Sequence, residues 1–295
     1  MDRSIITLSN ISKRYGKNTI LENVNISVYK DQCVAVCGNN GCGKSTLLKI
    51  ISGLSAVSSG ERTVPNMDSL IKISYVPEHF PKLPLSPLEY LTYMGKIQGL
   101  EESQISTRIK ELFDSFCIPA IMQKSWIKNL SKGTIQKVAV IQAILEKPCL
   151  LILDEPLSGQ DTKSQANFIE VINNFKSQGI AIVLACHEND LVDKLADRVV
   201  VLKDKTIQSD ERVKTKEFSA ICFRKNGKNS RQSLEFLEEV QVYKESDEYL
   251  IIQVHSDNIN SFIRKIIDSG YDIYSVNTIG KNIDIHPSGE YCVHK

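Results

Sequence analysis

The chain lacks a long hydrophobic run. Its longest apolar stretches are Cys149 to Leu153 and Ile180 to Cys186. Both fall well short of the roughly 20 residues that cross a bilayer as a helix. The chain itself is therefore expected to be soluble, and work at a membrane would need a separate spanning subunit. Met1 to Thr7 holds too short an apolar stretch for a signal peptide. Neither sign of charge is in excess: 36 Lys and Arg face 35 Asp and Glu, a net charge of +1. That gives no bulk-charge footprint for nucleic acid. The eight cysteines include no C-x-x-C pair, so no zinc or disulfide framework is indicated, and a reducing compartment is the simpler reading. No heptad run and no internal repeat appear. The N-K-x-D guanine motif of small GTPases is also missing.

What is present supports one large domain or two unequal ones: 295 residues, 42% of them hydrophobic. Residues 4 to 37 alternate apolar and polar, with turn signals at Tyr15-Gly16-Lys17-Asn18 and Lys30-Asp31, which predicts an antiparallel, strand-rich opening. Ser58-Ser59-Gly60 and Pro65-Asn66 punctuate short strands, and Ile71 to Val76 reads as a strand stopped by Pro77. From Pro84 to about Lys147 the pattern is helical, with starts at Ser86-Pro87-Leu88-Glu89, Ser106 and Ile135. Strands Leu150 to Leu153 and Ile180 to Ala185 flank a helix from Lys163 to Gln178. This βαβ rhythm predicts a doubly wound sheet with ligands at the strand C-termini.

After about Thr206 the character changes. Arg224 to Ser233 reads as a loop or linker. Around it the pattern predicts strands at Glu217 to Phe223, Val240 to Tyr243, Tyr249 to Val254, Tyr271 to Asn277 and Asn282 to Ile285. A helix is expected from Asn258 to Ser269, with Asp257 as N-cap and Gly270 beyond its end. His255 and His286 read as surface or packing residues.

Gly38-Asn39-Asn40-Gly41-Cys42-Gly43-Lys44-Ser45-Thr46 fits G-x-x-x-x-G-K-[ST]. The backbone N–H groups of such a loop cradle nucleotide phosphates. Gln32 to Cys37 reads as the buried strand before it and Thr46 to Ser52 as the helix after it, whose dipole adds to the phosphate site. Lys44 is placed to reach the β- and γ-phosphates, and Ser45 to hold Mg²⁺ through its hydroxyl.

Further motifs follow in fixed order: Tyr15, Leu130-Ser131-Lys132-Gly133-Thr134, Leu150-Leu151-Ile152-Leu153-Asp154-Glu155-Pro156, Ser158-Gly159-Gln160-Asp161 and His187. Together with the phosphate loop they resemble the ATP-binding cassette (ABC) ATPases over about residues 3 to 205. The resemblance implies a P-loop NTPase core of α/β class with an antiparallel β subdomain and a helical subdomain (about 84–147). Residues 1–205 would form the ATPase domain and 206–295 a small C-terminal α/β domain.

It also implies roles. Tyr15 would stack on adenine; taken alone it is a turn residue. Ser131 and Gly133 would donate to the γ-phosphate of ATP on a second copy; taken alone, L-S-x-G is a helix cap. Asp154 would serve the Mg²⁺ shell and Glu155 would activate the attacking water. Asp161 would couple two sites across a head-to-tail dimer, and His187 would contact the γ-phosphate.

Four positions depart from the family pattern, the first being Gln160, where an apolar residue is usual. Lys132 replaces a Gly, Thr134 replaces a Gln, and Glu78, in Tyr75-Val76-Pro77-Glu78, stands where a metal-binding Gln is usual. An anionic oxygen there favours Mg²⁺ and opposes the γ-phosphate; one pair of unit charges at about 4 Å and an effective dielectric near 20 is worth roughly 4 kcal/mol.

Pro-Glu combined with L-S-K-G, and the tail, resemble the exporter subgroup of bacitracin resistance and lantibiotic self-protection. The implied partners are a second copy and an integral membrane subunit, with no nucleic acid. The implied place is the cytoplasm, at the inner face of the membrane. ATP and Mg²⁺ are the implied ligands. A soluble non-transport ABC ATPase and a regulatory nucleotide sensor are the alternatives. The tail reads as a dimerisation or regulatory unit, or as inert packing.

Overall fold

A computed structural model describes residues 4–65, 71–157, 160–186, 189–213, 218–224, 242–245, 249–255 and 258–279. The chain forms two compact units, Met1–Val213 and Lys214–Lys295.

The first unit opens with β1 (Ser4–Tyr15) and β2 (Asn18–Tyr29), an antiparallel ribbon running from the Ser4–Tyr29 pair to the Tyr15–Asn18 pair. β3 (Cys33–Cys37) leads into the phosphate loop and α1 (Lys44–Ser52). β4 (Ser59–Thr63) then pairs antiparallel with β1, giving a three-stranded sheet in the order β2-β1-β4. The opening is thus antiparallel through Tyr29 only. β3 pairs parallel in a different sheet because Cys33 to Val36 are buried on both faces, the hallmark of a central parallel strand.

β5 (Ile73–Val76) follows, then α2 (Pro87–Ile97), α3 (Glu102–Ser115), α4 (Ala120–Gln123) and α5 (Lys132–Ile144). Ser86 starts α2 with a full capping box to Glu89, as Ser-x-x-Glu predicts. α3 begins at Glu102, ahead of the expected Ser106, because the Gln104 side chain accepts from the Glu101 N–H at 3.3 Å. α5 begins at Lys132, ahead of Ile135, because Ser131 caps it.

β6 (Leu150–Asp154), α6 (Thr162–Ser177), β7 (Ala181–Ala185), α7 (Asn189–Leu195), β8 (Arg198–Lys203) and β9 (Thr206–Arg212) complete the unit. The six-stranded sheet runs β5-β6-β7-β3-β8-β9, parallel except for its last pair.

Alternate residues of one strand feed the two sides of this sheet. Leu150 and Ile152 join the cluster of Leu47, Ile51, Leu8 and Val24, while Leu151 and Leu153 join that of Val138, Ile141, Phe168 and Ile172. Each fully buried aliphatic contributes about 1.5–3 kcal/mol, so the strand tips are rigidly held. The expected boundary at Lys205 is corrected by β9. Thr206 to Arg212 pair with Lys203 to Arg198, which places the end of the first unit at Val213.

The second unit holds β10 (Phe218–Arg224), β11 (Val242–Glu245), β12 (Tyr249–His255), α8 (Ile259–Asp268) and β13 (Ile273–Ile279). Its sheet is antiparallel in the order β11-β12-β10-β13, and Phe262 and Ile266 of α8 cluster with Ile221, Phe223, Leu250 and Ile252. Asn258 sits at the N-cap of α8 without a side-chain cap bond. Asp257, strand Asn282 to Ile285, His286 and most of the Arg224–Ser233 stretch lie outside the described residues. Among the described residues no helix is long and apolar enough to cross a membrane.

Candidate nucleotide-binding site

In the sheet β5 and β6 are neighbours and β3 lies beyond β7 on the other side of β6; the loops leaving these three strands bound a cavity of about 550 Å³. From the phosphate loop, Asn40, Gly41, Gly43, Lys44, Ser45 and Thr46 line it, joined by Ile20, Glu78 and Glu155. Gly38, Asn39 and Cys42 build the loop behind. A Cβ on Gly38, at φ +151°, would stand 2.3 Å from the Leu202 carbonyl oxygen and 2.7 Å from Cys42 Sγ. A Cβ on Gly43, at φ +109°, would press on Leu21 and Ile20 at 3.0 and 3.2 Å. Both positions need glycine for room and for backbone angle.

Lys44 is almost fully buried. Its Nζ donates to the carbonyls of Gly38 (2.9 Å) and Asn39 (3.4 Å) and lies 3.4 Å from Glu155 Oε1. Glu155 takes φ +50°, a left-handed turn directly after β6, and its N–H donates to the Ala185 carbonyl at 3.1 Å. That turn swings the carboxylate off the strand line and into the cavity.

Asp154 is buried at 3% exposure. Ser45 Oγ donates to its Oδ1 at 3.1 Å and Tyr75 Oη donates to its Oδ2 at 2.9 Å. Burial, then the Asp154 charge and hydrogen bond, then Glu78, push the Tyr75 phenol well above its usual range, so it keeps its proton and remains a donor.

The donor set fits Mg²⁺. A hydroxyl and a carboxylate meet from positions 109 apart in sequence, and no cluster of three or more His, Cys, Asp or Glu ready to hold a metal occurs among the described residues. Mg²⁺ commonly takes few protein oxygens and fills its shell from phosphates and water. Glu78, the third expected metal residue, reaches the same cavity with its side chain 44% exposed and 3.7 Å from His79 Nδ1.

The remaining expected residues lie elsewhere. Tyr15 ends β1 half exposed, with Lys13 Nζ 4.7 Å from its ring centroid, and does not line the cavity. Ser131 caps α5, accepting from the Thr134 N–H at 3.2 Å, and Asp161 caps α6, accepting from the Ser164 N–H at 2.9 Å. Gly133 faces Gln160, whose Cγ would be 3.2 Å from an added Cβ. None of Ser131, Gly133 and Asp161 lines the cavity of its own chain. Ser158, Gly159 and His187 lie outside the described residues.

Sequence reading missed four participants: Ile20 on the cavity wall, Tyr75, Gln136 and Cys37. Gln136, buried on α5, donates through Nε2 to the Pro77 carbonyl at 3.1 Å and so ties that helix to the Glu78 loop. The Cys37 thiol is lowered from its ordinary range chiefly by a hydrogen bond with Cys186; burial opposes this, and the Lys44 charge assists it. The period-2 pattern of β5 places Tyr75 on one face of the sheet, but nothing local in the sequence pairs it with Asp154.

A glycine-bound phosphate loop, a buried lysine and a serine–aspartate pair at the tips of a parallel sheet define a P-loop nucleotide hydrolase. Similarity to known proteins narrows the class. Residues 21–158 match the family model described as ABC transporter. The zinc import ATP-binding protein ZnuC of Rickettsia conorii is 34% identical over 203 residues, covering 68% of this chain and 84% of that protein. YhaQ of Bacillus subtilis, an uncharacterized ABC transporter ATP-binding protein, is 28% identical over 272 residues, 88% of this chain and 89% of that one. A dimeric post-hydrolysis ATP-binding cassette bound to ADP and Pi matches with a TM-score of 0.64 over 70% of this chain and 98% of that chain, at 23% identity. The chain belongs to the ABC transporter ATP-binding proteins. It is an ATPase that binds ATP with Mg²⁺.

Proposed function

We propose that two copies of this chain close head to tail on two ATP molecules and thereby drive a separate integral membrane subunit that exports its substrate. One observation carries the reading: the cavity gathers Lys44, Ser45 and Glu155 but neither Ser131 nor Gly133. A second copy would supply that half.

In this arrangement the phosphate-loop N–H groups and Lys44 hold the β- and γ-phosphates. Ser45 and Asp154 hold Mg²⁺, which when bound neutralises charge developing on the phosphates. Glu155 orients and deprotonates the attacking water, His187 contacts the γ-phosphate, and Tyr15 stacks on adenine, worth on the order of 1 kcal/mol. Asp161, at the start of α6, couples the two sites. Closure with γ-phosphate contacts and release after hydrolysis make the two-state cycle.

The helical block carries the surface for the membrane subunit. Tyr93, Ile97, Ile121 and Trp126 are exposed there, beside a cavity of about 310 Å³ lined by Leu88, Ile105, Ile109 and Phe113. The cassette works at the inner face of the cell membrane through that subunit.

The outward direction rests on the resemblance of Glu78, of Lys132 in the signature and of the second unit to features of antibiotic exporters. The match to ZnuC, named for import, covers 203 residues, whereas that to YhaQ extends over 272. Co-purification with the membrane subunit, followed by ATPase assays in proteoliposomes, tests the reading. Bacitracin or a lantibiotic is expected to stimulate turnover. Stimulation by zinc instead, with ATP-driven transport toward the cassette side, overturns the export direction.

A further inference from the structure

Tyr75 belongs to none of the motifs that name the family, yet it touches the buried carboxylate at the centre of the site. It sits on β5 opposite Ile152 of β6, two residues before Asp154. Side chains two apart on a strand share a face, so the long phenol reaches along its neighbour to the strand tip. Its ring packs, partly buried, on the cluster that includes Leu150 and Ile152. Its hydroxyl meets Asp154 Oδ2 at 2.9 Å while Ser45 Oγ holds Oδ1 at 3.1 Å.

Each carboxylate oxygen thus takes one hydrogen, from donors on two different elements. Two such anchors fix the plane of the carboxylate. They leave its remaining lone pairs, and those of Ser45 Oγ, to face a cation or its water shell. With one anchor removed, the carboxylate would turn about its side-chain bonds.

We propose that Tyr75 is a positioning residue for the metal site: its hydroxyl fixes the orientation of Asp154 and so sets how strongly nucleotide and divalent cation bind together. The inference rests on the reading of Asp154 as the metal-shell carboxylate. Groups that orient a metal's own ligands typically change metal affinity 10- to 100-fold when removed.

Tyr75→Phe keeps the ring and its packing and removes only the donor. The measurement is equilibrium ATP binding with Mn²⁺ and, separately, in EDTA, both in a Glu155→Gln background so that turnover does not intervene. The ratio of the two affinities reports metal coupling without reference to activity. Tyr75→Phe is expected to lower that ratio about tenfold while ATP affinity in EDTA stays at the parent value.

An unchanged ratio in Tyr75→Phe, with a reduced ratio in Asp154→Asn, overturns the role of the tyrosine and leaves the metal site standing. An unchanged ratio in Asp154→Asn overturns the metal-site reading and the inference with it. Equal losses with Mn²⁺ and in EDTA for Tyr75→Phe show a general structural role and also overturn the proposal.

Discussion

Replacing Glu155 by Gln separates the two duties of that residue, since the carboxylate both faces Lys44 and is placed to activate water. The Lys44 Nζ to Glu155 Oε1 distance is 3.4 Å, with side-chain exposures of 6% and 14%. At an effective dielectric near 20 the gross attraction is about 5 kcal/mol. Most of it is not realised as net energy, because both groups are drawn from water. A charge-assisted contact of this kind nets about 1.5–3 kcal/mol.

ATP must compete with Glu155 for the same ammonium group, and its γ-phosphate also meets the carboxylate's negative charge. The Gln variant removes the competitor and the repulsion together while preserving shape. ATP is therefore expected to bind about 10- to 100-fold more tightly. Hydrolysis is expected to fall by about 10²–10⁴, the usual worth of a general base. Equilibrium ATP binding and single-turnover phosphate release measure the two effects. Weaker ATP binding in the variant would refute the competition argument, and unchanged hydrolysis would refute the catalytic role of Glu155.

Three further perturbations follow from the site. Gly38→Ala puts a Cβ 2.3 Å from the Leu202 backbone oxygen, a clash that only movement of the loop or of β8 relieves. A loss of about 1–3 kcal/mol of stability is expected, and thermal unfolding with and without ATP should show both a lower Tm and a smaller ATP-induced shift. For Glu78→Gln, the Mg²⁺ concentration for half-maximal ATPase activity should rise and unassisted hydrolysis should quicken; an unaltered Mg²⁺ titration contradicts this. Cys37 is an acid whose pKa lies below its ordinary value of 9.0, so its thiolate persists to lower pH. Iodoacetamide labelling of Cys37 should stay fast at pH values below the usual thiol range. Cys186→Ala, which removes the largest cause, should move the labelling midpoint upward.

Linear motifs were the legible part of the site. Gly38 to Thr46 and Leu150 to Pro156 each lie within one strand–loop segment, so chain order alone places their groups. The sheet was legible for the same reason: Leu150 to Leu153 and Ala181 to Ala185 are continuous apolar runs that only a doubly covered parallel strand accommodates.

What escaped sequence reading depends on contacts between segments far apart in the chain. Tyr75 and Asp154 meet because β5 and β6 are neighbours, and Gln136 meets Pro77 because α5 packs over that edge. No local pattern records either meeting. The domain boundary was misplaced because Thr206-Ile207-Gln208 follows the turn at Asp204-Lys205 and looks like a new start. Both turn residues take positive φ, and the chain folds back as a hairpin onto β8. Ser131 and Asp161 show the opposite ambiguity, since a helix cap and a polar contact to a second copy call for the same residue types.

The central claim is that one working site takes its phosphate loop from one copy and its signature from another. Mixing two defective variants tests it most directly. Lys44→Ala lacks the phosphate-loop lysine, and Gly133→Asp places a carboxylate where the signature would meet phosphate; Gln160 beside it is a flexible side chain that can yield. Each variant alone is expected to be inactive. A mixed dimer joins the intact phosphate loop of the Gly133→Asp chain to the intact signature of the Lys44→Ala chain. ATP hydrolysis that appears only on mixing is the predicted result. Full activity of Gly133→Asp alone, or no recovery from a mixture shown to form mixed dimers, would contradict the shared site.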